Sequence, residues 1–172
     1  LGIKQIFILP ELNYGAAVHA DKWIPIRPNT DAALFFAIAY QWLQAGTYDK
    51  DYVDTHVVGF DKFSAYVLGE EDGVPKTPKW AEEKTGVPSR IIKALARLWA
   101  AVPTCTSHAN GGNMARAPYA TENMRAEVCL LGMQGLGKPG RHAAAARAHG
   151  PLPHRLPLPR PRVPRRCGGP RP

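Results

Sequence analysis

The spacing of apolar and polar residues predicts a mixture of strands and helices along the first 140 residues. A short apolar run ended by Pro10 predicts a strand at Lys4–Leu9. Further strands are predicted at Trp23–Ile26, which Pro25 and Pro28 keep out of a helix, and at Thr104–Ala109. Continuous apolar runs of this length are typical of parallel strands that are buried on both faces. The interval between the second and third runs is long enough for several helices, so the order of elements predicts an α/β domain with parallel strands.

Helical periodicity is clearest after Asp31. Apolar residues at Leu34, Ile38 and Trp42 lie on one face of a predicted helix over 31–44, and Gly46 is a suitable residue to end it. Shorter helices are predicted at 49–56, at 60–68 and from Thr77-Pro78 to Gly86. A further helix is predicted to begin at Ser89 and to face inward with Ile91, Leu95, Leu98 and Trp99. The last is predicted at 120–134, with Met124, Val128 and Leu131 buried.

The positive charge of the chain is confined to its end. The formal net charge is +8, yet residues 1–140 contain 14 basic and 14 acidic residues. Residues 141–172 contain eight Arg and eight Pro, with no acidic and no aromatic residue. Such a segment cannot bury enough apolar surface to offset the entropy lost on ordering, so we expect a disordered tail at 141–172 and a folded domain at 1–140.

The abrupt change of composition at Gly140-Arg141 has two interpretations. An Arg-rich arm can bind nucleic acid or acidic lipid through its charge. Arg, Pro, Ala, Gly and His are also the residues that GC-rich DNA encodes when it is translated in a wrong frame, and the change follows directly on an orderly Gly-rich segment. We favour a frameshift origin of the tail.

Cysteine usage and hydropathy bound the class of protein. The three cysteines are far apart and odd in number, which argues against a disulfide framework, and no Cys-x-x-Cys is present to hold zinc or an iron–sulfur cluster. No apolar run reaches membrane-spanning length, so we expect no direct membrane insertion. No segment of the sequence indicates a compartment.

The residues with the clearest binding chemistry are Asn29, Thr30 and Asp31, where a predicted strand passes into a predicted helix. Free backbone N–H groups and a carboxylate at such a point can hold one end of a nucleotide. A carboxylate can accept two hydrogen bonds from the N1–H and N2–H₂ edge of guanine, and the helix dipole favours its ionised form. The same three residue types are also the commonest helix caps and need no ligand to be there.

The surrounding sequence resembles the molybdopterin guanine dinucleotide oxidoreductases, the dimethyl sulfoxide reductase family. The resemblance is carried by Trp23-Ile-Pro-Ile-Arg-Pro-Asn-Thr-Asp-Ala-Ala-Leu34, similar to an Arg-Pro-Gly-Thr-Asp-x-Ala-Leu run, and by Leu131-Gly-Met-Gln-Gly-Leu-Gly-Lys-Pro-Gly140. It extends over residues 4–140, and residues 46–61 are most similar to the branch with acetylene hydratase, pyrogallol transhydroxylase and arsenate or thiosulfate reductases.

The resemblance implies a parallel-sheet, three-layer α/β domain from a catalytic subunit. It implies that Asn29, Thr30 and Asp31 contact the guanine end of a molybdopterin guanine dinucleotide carrying molybdenum or tungsten. The family often has Asp-Pro-Arg after the first strand, where this chain has Leu-Pro-Glu; Asn13 could supply the missing polar contact. Asn110, in a Gly-rich turn after the third strand, could approach a pterin or phosphate, although a tight turn explains it equally well.

The implied partners are the remainder of the catalytic subunit and an iron–sulfur electron-transfer subunit. Neither the ligands of an iron–sulfur cluster nor a ligand to molybdenum is recognisable here, so we expect the chain alone to be inactive. Two other classes of function remain open at this point. One is a stand-alone nucleotide-binding or scaffolding module, and the other is a nucleic-acid binder that uses its basic tail.

Overall fold

A computed structural model describes residues 2–109 and 117–146. These residues form an α/β arrangement, which confirms the predicted class. The elements, in chain order, are β1 (Ile6–Leu9), α1 (Tyr14–His19), β2 (Lys22–Pro25), α2 (Asp31–Ala45), α3 (Lys50–His56), α4 (Phe60–Leu68), α5 (Pro78–Thr85), α6 (Ser89–Ala101), β3 (Thr106–Ala109), α7 (Ala120–Met133) and β4 (Ala143–Ala146).

The strands pair in parallel, as their apolar character predicts. Strand β1 pairs with β2 from Ile6 opposite Lys22 to Leu9 opposite Pro25. Strand β3 pairs with β4 in a second two-stranded sheet. Because β1 and β2 run in the same direction, the loops that follow them leave the sheet at the same edge.

The expectation that disorder begins at Arg141 is wrong for residues 141–146. The Arg141 guanidinium donates to the backbone oxygen and to the side-chain Oε1 of Gln134, and the Thr106 amide donates to the His142 carbonyl. The alanines of β4 then extend this contact along β3. Composition missed this segment because strand pairing satisfies backbone groups without requiring large apolar side chains. Residues 147–172 lie outside the described residues.

Helix α2 lies at the centre of the core, where it packs against α4, α5, α6 and α7. Its predicted inward face is confirmed, since Leu34, Ile38 and Trp42 are fully buried. The indole N–H of Trp42 donates to the Ala96 carbonyl of α6 at 2.8 Å, and the Trp42 ring meets Trp99 edge to face. This packing fixes the C-terminal part of α2 against α6.

Several positions predicted to be buried lie at the surface. The β1 residues are only half-buried, and Leu98, Met124 and Val128 are exposed, whereas Leu131 is fully buried as predicted. Helix α7 instead buries polar residues, among them Asn123 and Glu127, on the side that packs against the core. Helical spacing alone could not distinguish these two faces of α7.

Within the described residues, no helix is long and apolar enough to cross a membrane.

Candidate cofactor-binding turn at the start of helix α2

Residues 27–30 form the turn that joins β2 to α2. Asn29 has a φ of 60°, in the left-handed region that glycine adopts most easily. Asn is one of the few other residues that enter this region at low cost. The turn therefore brings Asn29, Thr30 and Asp31 together at the first residues of α2.

The Asn29 side chain is held by two residues that are distant in sequence. Its Nδ2 donates to the Pro118 carbonyl at 3.2 Å, and its Oδ1 accepts from Nδ2 of Asn123 at 3.0 Å. Asn123 is 3% exposed, and its own Oδ1 accepts from the Ala32 amide at 2.9 Å. The buried side-chain amide of Asn123 thus contacts both the loop that precedes α2 and the first helical turn of α2.

Thr30 occupies the N-cap position, but its side chain makes no capping hydrogen bond. Its hydroxyl donates to the Arg27 carbonyl at 2.7 Å, while its backbone oxygen accepts from the Ala33 and Leu34 amides. The reason is the backbone conformation of Thr30, with φ −115° and ψ 11°, whereas side-chain capping normally requires an extended N-cap.

Asp31 is the first residue of α2 and is half-buried. Burial raises the pKa of its carboxyl group, an effect that its own backbone N–H opposes and the nearby Glu127 carboxylate reinforces. Burial of Asp31 therefore opposes the ionised form that the field at a helix start favours.

The expectation of free N–H groups at the start of α2 is wrong. The Ala32 amide is taken by Asn123, and the next two amides are taken by the Thr30 carbonyl. The backbone N–H of Asp31 interacts with the carboxylate of the same residue. The start of α2 therefore offers a ligand the Asp31 carboxylate, and not a set of free amides that could bind an anion.

An open groove of about 550 Å³ lies beside the turn, between the start of α2 and helix α5. Asn29 and Thr30 line it, whereas Asp31 does not. Its far wall includes Trp80 and Lys84, whose ammonium group lies 5.1 Å from the Trp80 ring centre. Arg27 joins the two walls, because its guanidinium donates to the Glu83 carbonyl at 2.7 Å at the end of α5.

The other two predicted site residues are Asn13 and Asn110. The Oδ1 of Asn13 accepts from the Ala16 amide at 2.9 Å, so Asn13 caps α1. Asn13 follows β1, and the Asn29 turn follows β2, so both lie at the same edge of this parallel pair. Asn110 lies outside the described residues. Residues 2–109 and 117–146 contain no group of three His, Cys, Asp or Glu side chains that could hold a metal ion.

Asn123 is the residue at this site that sequence reasoning missed. It lies within a helix, where its residue type carries no specific signal, and its partners Asn29 and Ala32 are 94 and 91 positions away along the chain. Only the packing of α7 against α2 brings these groups together.

The chain is similar in sequence to several known enzymes. The chain is 47% identical over 144 residues to the large subunit of pyrogallol hydroxytransferase from Pelobacter acidigallici, covering 81% of the chain and 16% of that protein. It is 35% identical over 140 residues to a dimethyl sulfoxide/trimethylamine N-oxide reductase from Rhodobacter capsulatus, covering 81% of the chain and 17% of the relative. No protein-family model matches the chain.

A solved structure supports the same relationship. Acetylene hydratase from Pelobacter acetylenicus superposes with a TM-score of 0.66 at 25% identity, covering 77% of the chain and 17% of that structure. The chain belongs to the dimethyl sulfoxide reductase family of molybdopterin enzymes, which confirms the resemblance found in the sequence. It spans about one sixth of the length of these relatives.

Proposed function

We propose that the Asn29–Asp31 turn binds the guanine end of a molybdopterin guanine dinucleotide in a molybdenum or tungsten oxidoreductase of which this chain is one part. The observation that carries the proposal is the half-buried Asp31 carboxylate, whose pKa burial raises. Within the described residues, no cationic side chain forms an ion pair with it. A ligand that donates hydrogen bonds would supply the missing stabilisation.

Guanine has the complementary chemistry. Its N1–H and N2–H₂ groups are adjacent donors, and an ionised carboxylate offers two acceptor oxygens at a matching separation. Hydrogen bonds to the charged form lower a carboxyl pKa, so guanine would offset the effect of burial on Asp31. Other bases present an acceptor at one of these two positions and would face the carboxylate unfavourably.

The neighbouring polar residues have supporting roles in this proposal. Asn29 and Thr30 shape the turn through their contacts with Pro118, Asn123 and Arg27. Asn13 and Asn110 would add polar contacts from the loops that follow β1 and β3, since parallel sheets bind ligands at the carboxyl ends of their strands.

The catalytic chemistry is proposed for the whole protein and not for this part alone. The metal of the bound cofactor would supply the group-transfer or redox chemistry, and residues of this chain would hold the distal, nucleotide end. Because no metal-ligating cluster is present among the described residues, we expect the isolated chain to be inactive. An iron–sulfur cluster is proposed for the parent protein, with ligands outside this chain.

The remainder of the catalytic subunit is the proposed partner of this chain, completing a three-layer domain. Tyr14 and Val18 of α1 are 93% and 73% exposed, and they follow the half-buried strand β1. Exposed apolar groups next to a short strand pair suit contact with further polypeptide. An iron–sulfur electron-transfer subunit is proposed as a second partner of the assembled enzyme.

The variant Asp31→Asn tests the assignment of the site. Asn has the same size as Asp, but it places a donor against the donors of guanine. In the complete catalytic subunit, we expect Asp31→Asn to reduce the guanosine monophosphate released by acid hydrolysis about tenfold or more, because two charge-assisted bonds are affected. The matched control is Asp49→Asn, which alters a carboxylate that caps α3 outside the turn. Normal nucleotide and metal content in Asp31→Asn would show that Asp31 only begins the helix and does not bind guanine.

A further inference from the structure

We infer that Asn123 is the positioning residue of this site, and that it controls guanine binding by holding Asn29 in its left-handed conformation and fixing the start of α2. The inference rests on the proposed function. It concerns a residue 92 positions away from Asp31 along the chain, on a different helix.

The first support is the geometry of the Asn123 amide. Nδ2 donates to Oδ1 of Asn29 at 3.0 Å, and Oδ1 accepts from the Ala32 amide at 2.9 Å. These two contacts flank Asp31 on both sides in sequence. Movement of Asn123 would therefore displace Asn29 and Ala32 together.

The second support is the conformational cost of the turn. Asn29 has a φ of 60°, a conformation that costs Asn less than most residues but more than glycine. The donors and acceptors of its amide are matched, since Nδ2 reaches the Pro118 carbonyl and Oδ1 receives Asn123. Reversal of the Asn29 amide would place oxygen against oxygen at Pro118 and nitrogen against nitrogen at Asn123, so both partners fix which way this amide faces.

The third support is burial. Asn123 is 3% exposed, and a buried amide whose partners are removed leaves unsatisfied groups that cost more than an exposed hydrogen bond. Asn123 faces a helix start whose own N-cap side chain, Thr30, is turned towards Arg27. It therefore does for α2, from across the core, what an N-cap side chain usually does locally.

The test compares Asn123→Ala with and without Asn29→Gly. Glycine adopts positive φ without side-chain support, so Asn29→Gly removes the need for the Asn123 donor. The double variant then leaves the Ala32 amide and the Pro118 carbonyl without their side-chain partners. In the complete catalytic subunit, we expect Asn123→Ala to lower the guanosine monophosphate content about tenfold. The double variant should recover to within about threefold of the parent protein.

Gln134→Ala is the matched control, because Gln134 is an equally buried amide at the other end of α7 and donates to the Thr47 carbonyl. It should lower the melting temperature and leave the nucleotide content unchanged. Asn123→Asp keeps an oxygen for the Ala32 amide but loses the donor to Asn29, and it guards against loss of folding in the alanine variant. Hydrogen exchange of the Ala32 amide, measured in the present chain, should accelerate in Asn123→Ala and not in Gln134→Ala.

The outcomes distinguish this inference from the proposed function. Low nucleotide content in Asp31→Asn together with normal content in Asn123→Ala and Asn123→Asp would overturn the inference alone. Normal content in all three variants would overturn both. Equal loss in Asn123→Ala with and without Asn29→Gly would show that Asn123 acts as a general core residue, and would also overturn the inference.

Discussion

Asp31 combines two properties that oppose each other in the free protein. It lies at a helix start, where negative charge is favoured, yet burial raises the pKa of its carboxyl group and the nearby Glu127 carboxylate adds to the effect. A carboxylate that is destabilised without ligand and stabilised by donors is suited to binding. The same balance predicts a measurable trade between stability and ligand retention.

Asp31→Asn is expected to stabilise the free chain at neutral pH. A carboxyl whose pKa is raised on folding contributes stability at acid pH, and that contribution is lost as pH rises through the folded-state pKa. The neutral amide has no such loss, so the variant should gain melting temperature over the parent chain at pH 7. The gain should vanish below the unfolded pKa of about 3.8. Thermal unfolding between pH 3 and pH 8 measures both; a lower melting temperature for the variant at pH 7 would contradict this account.

At the scale of elements, local chemistry predicted most helix ends. The side chain of Thr77 caps α5 by accepting from the Trp80 amide, and Gly86 ends that helix with a φ of 74°, as the sequence indicates. These signals are local because both partners lie within one turn of the chain. The contacts that complete the site are not local, since Asn123 reaches Asn29 only through the packing of α7 on α2.

Strand β4 shows the same limit in a different form. Its alanines carry no strand signal, and backbone pairing with β3 determines their conformation. Composition therefore predicted disorder at residues that form a strand. Conversely, the helical spacing of apolar residues in α7 predicted that Met124 and Val128 are buried. These two residues are exposed, and Asn123 and Glu127 are buried instead. The packing of α7 against α2, and not its apolar spacing alone, determines which of its residues face inward.

Two tryptophans of the central core offer a matched pair for the packing of α2. The indole N–H of Trp42 donates to the Ala96 carbonyl, whereas the buried indole N–H of Trp99 has no acceptor among the described residues. Trp42→Phe should therefore destabilise the chain by about 1 kcal/mol more than Trp99→Phe, the net value of one buried hydrogen bond. Urea unfolding of both variants measures the difference. Equal costs would show that the Ala96 contact contributes nothing to stability.

At the scale of the whole molecule, the charge is separated from the candidate site. Residues 1–140 are balanced, and the excess of Arg lies in the last 32 residues. The two parts should therefore behave independently towards polyanions. Because of this separation, the hypothesis that the basic tail binds nucleic acid can be tested without changing the domain.

We expect the complete chain to bind a short random-sequence DNA duplex weakly, and a chain ending at Ala146 not to bind it at moderate salt. Seven Arg lie beyond Ala146, so the slope of log affinity against log salt should be no steeper than about −6. Fluorescence anisotropy at several salt concentrations measures the slope. Salt-resistant binding by the shorter chain would point instead to a nucleic-acid site within the domain.

The central claim is that Asp31 reads guanine, and its most direct measurement is the structure of the complete catalytic subunit with its cofactor bound. The account predicts both Asp31 carboxylate oxygens within hydrogen-bond distance, about 2.7–3.0 Å, of guanine N1 and N2, with Asn123 still bonded to Asn29. A guanine held by other residues, with Asp31 contacting only protein atoms, would contradict it.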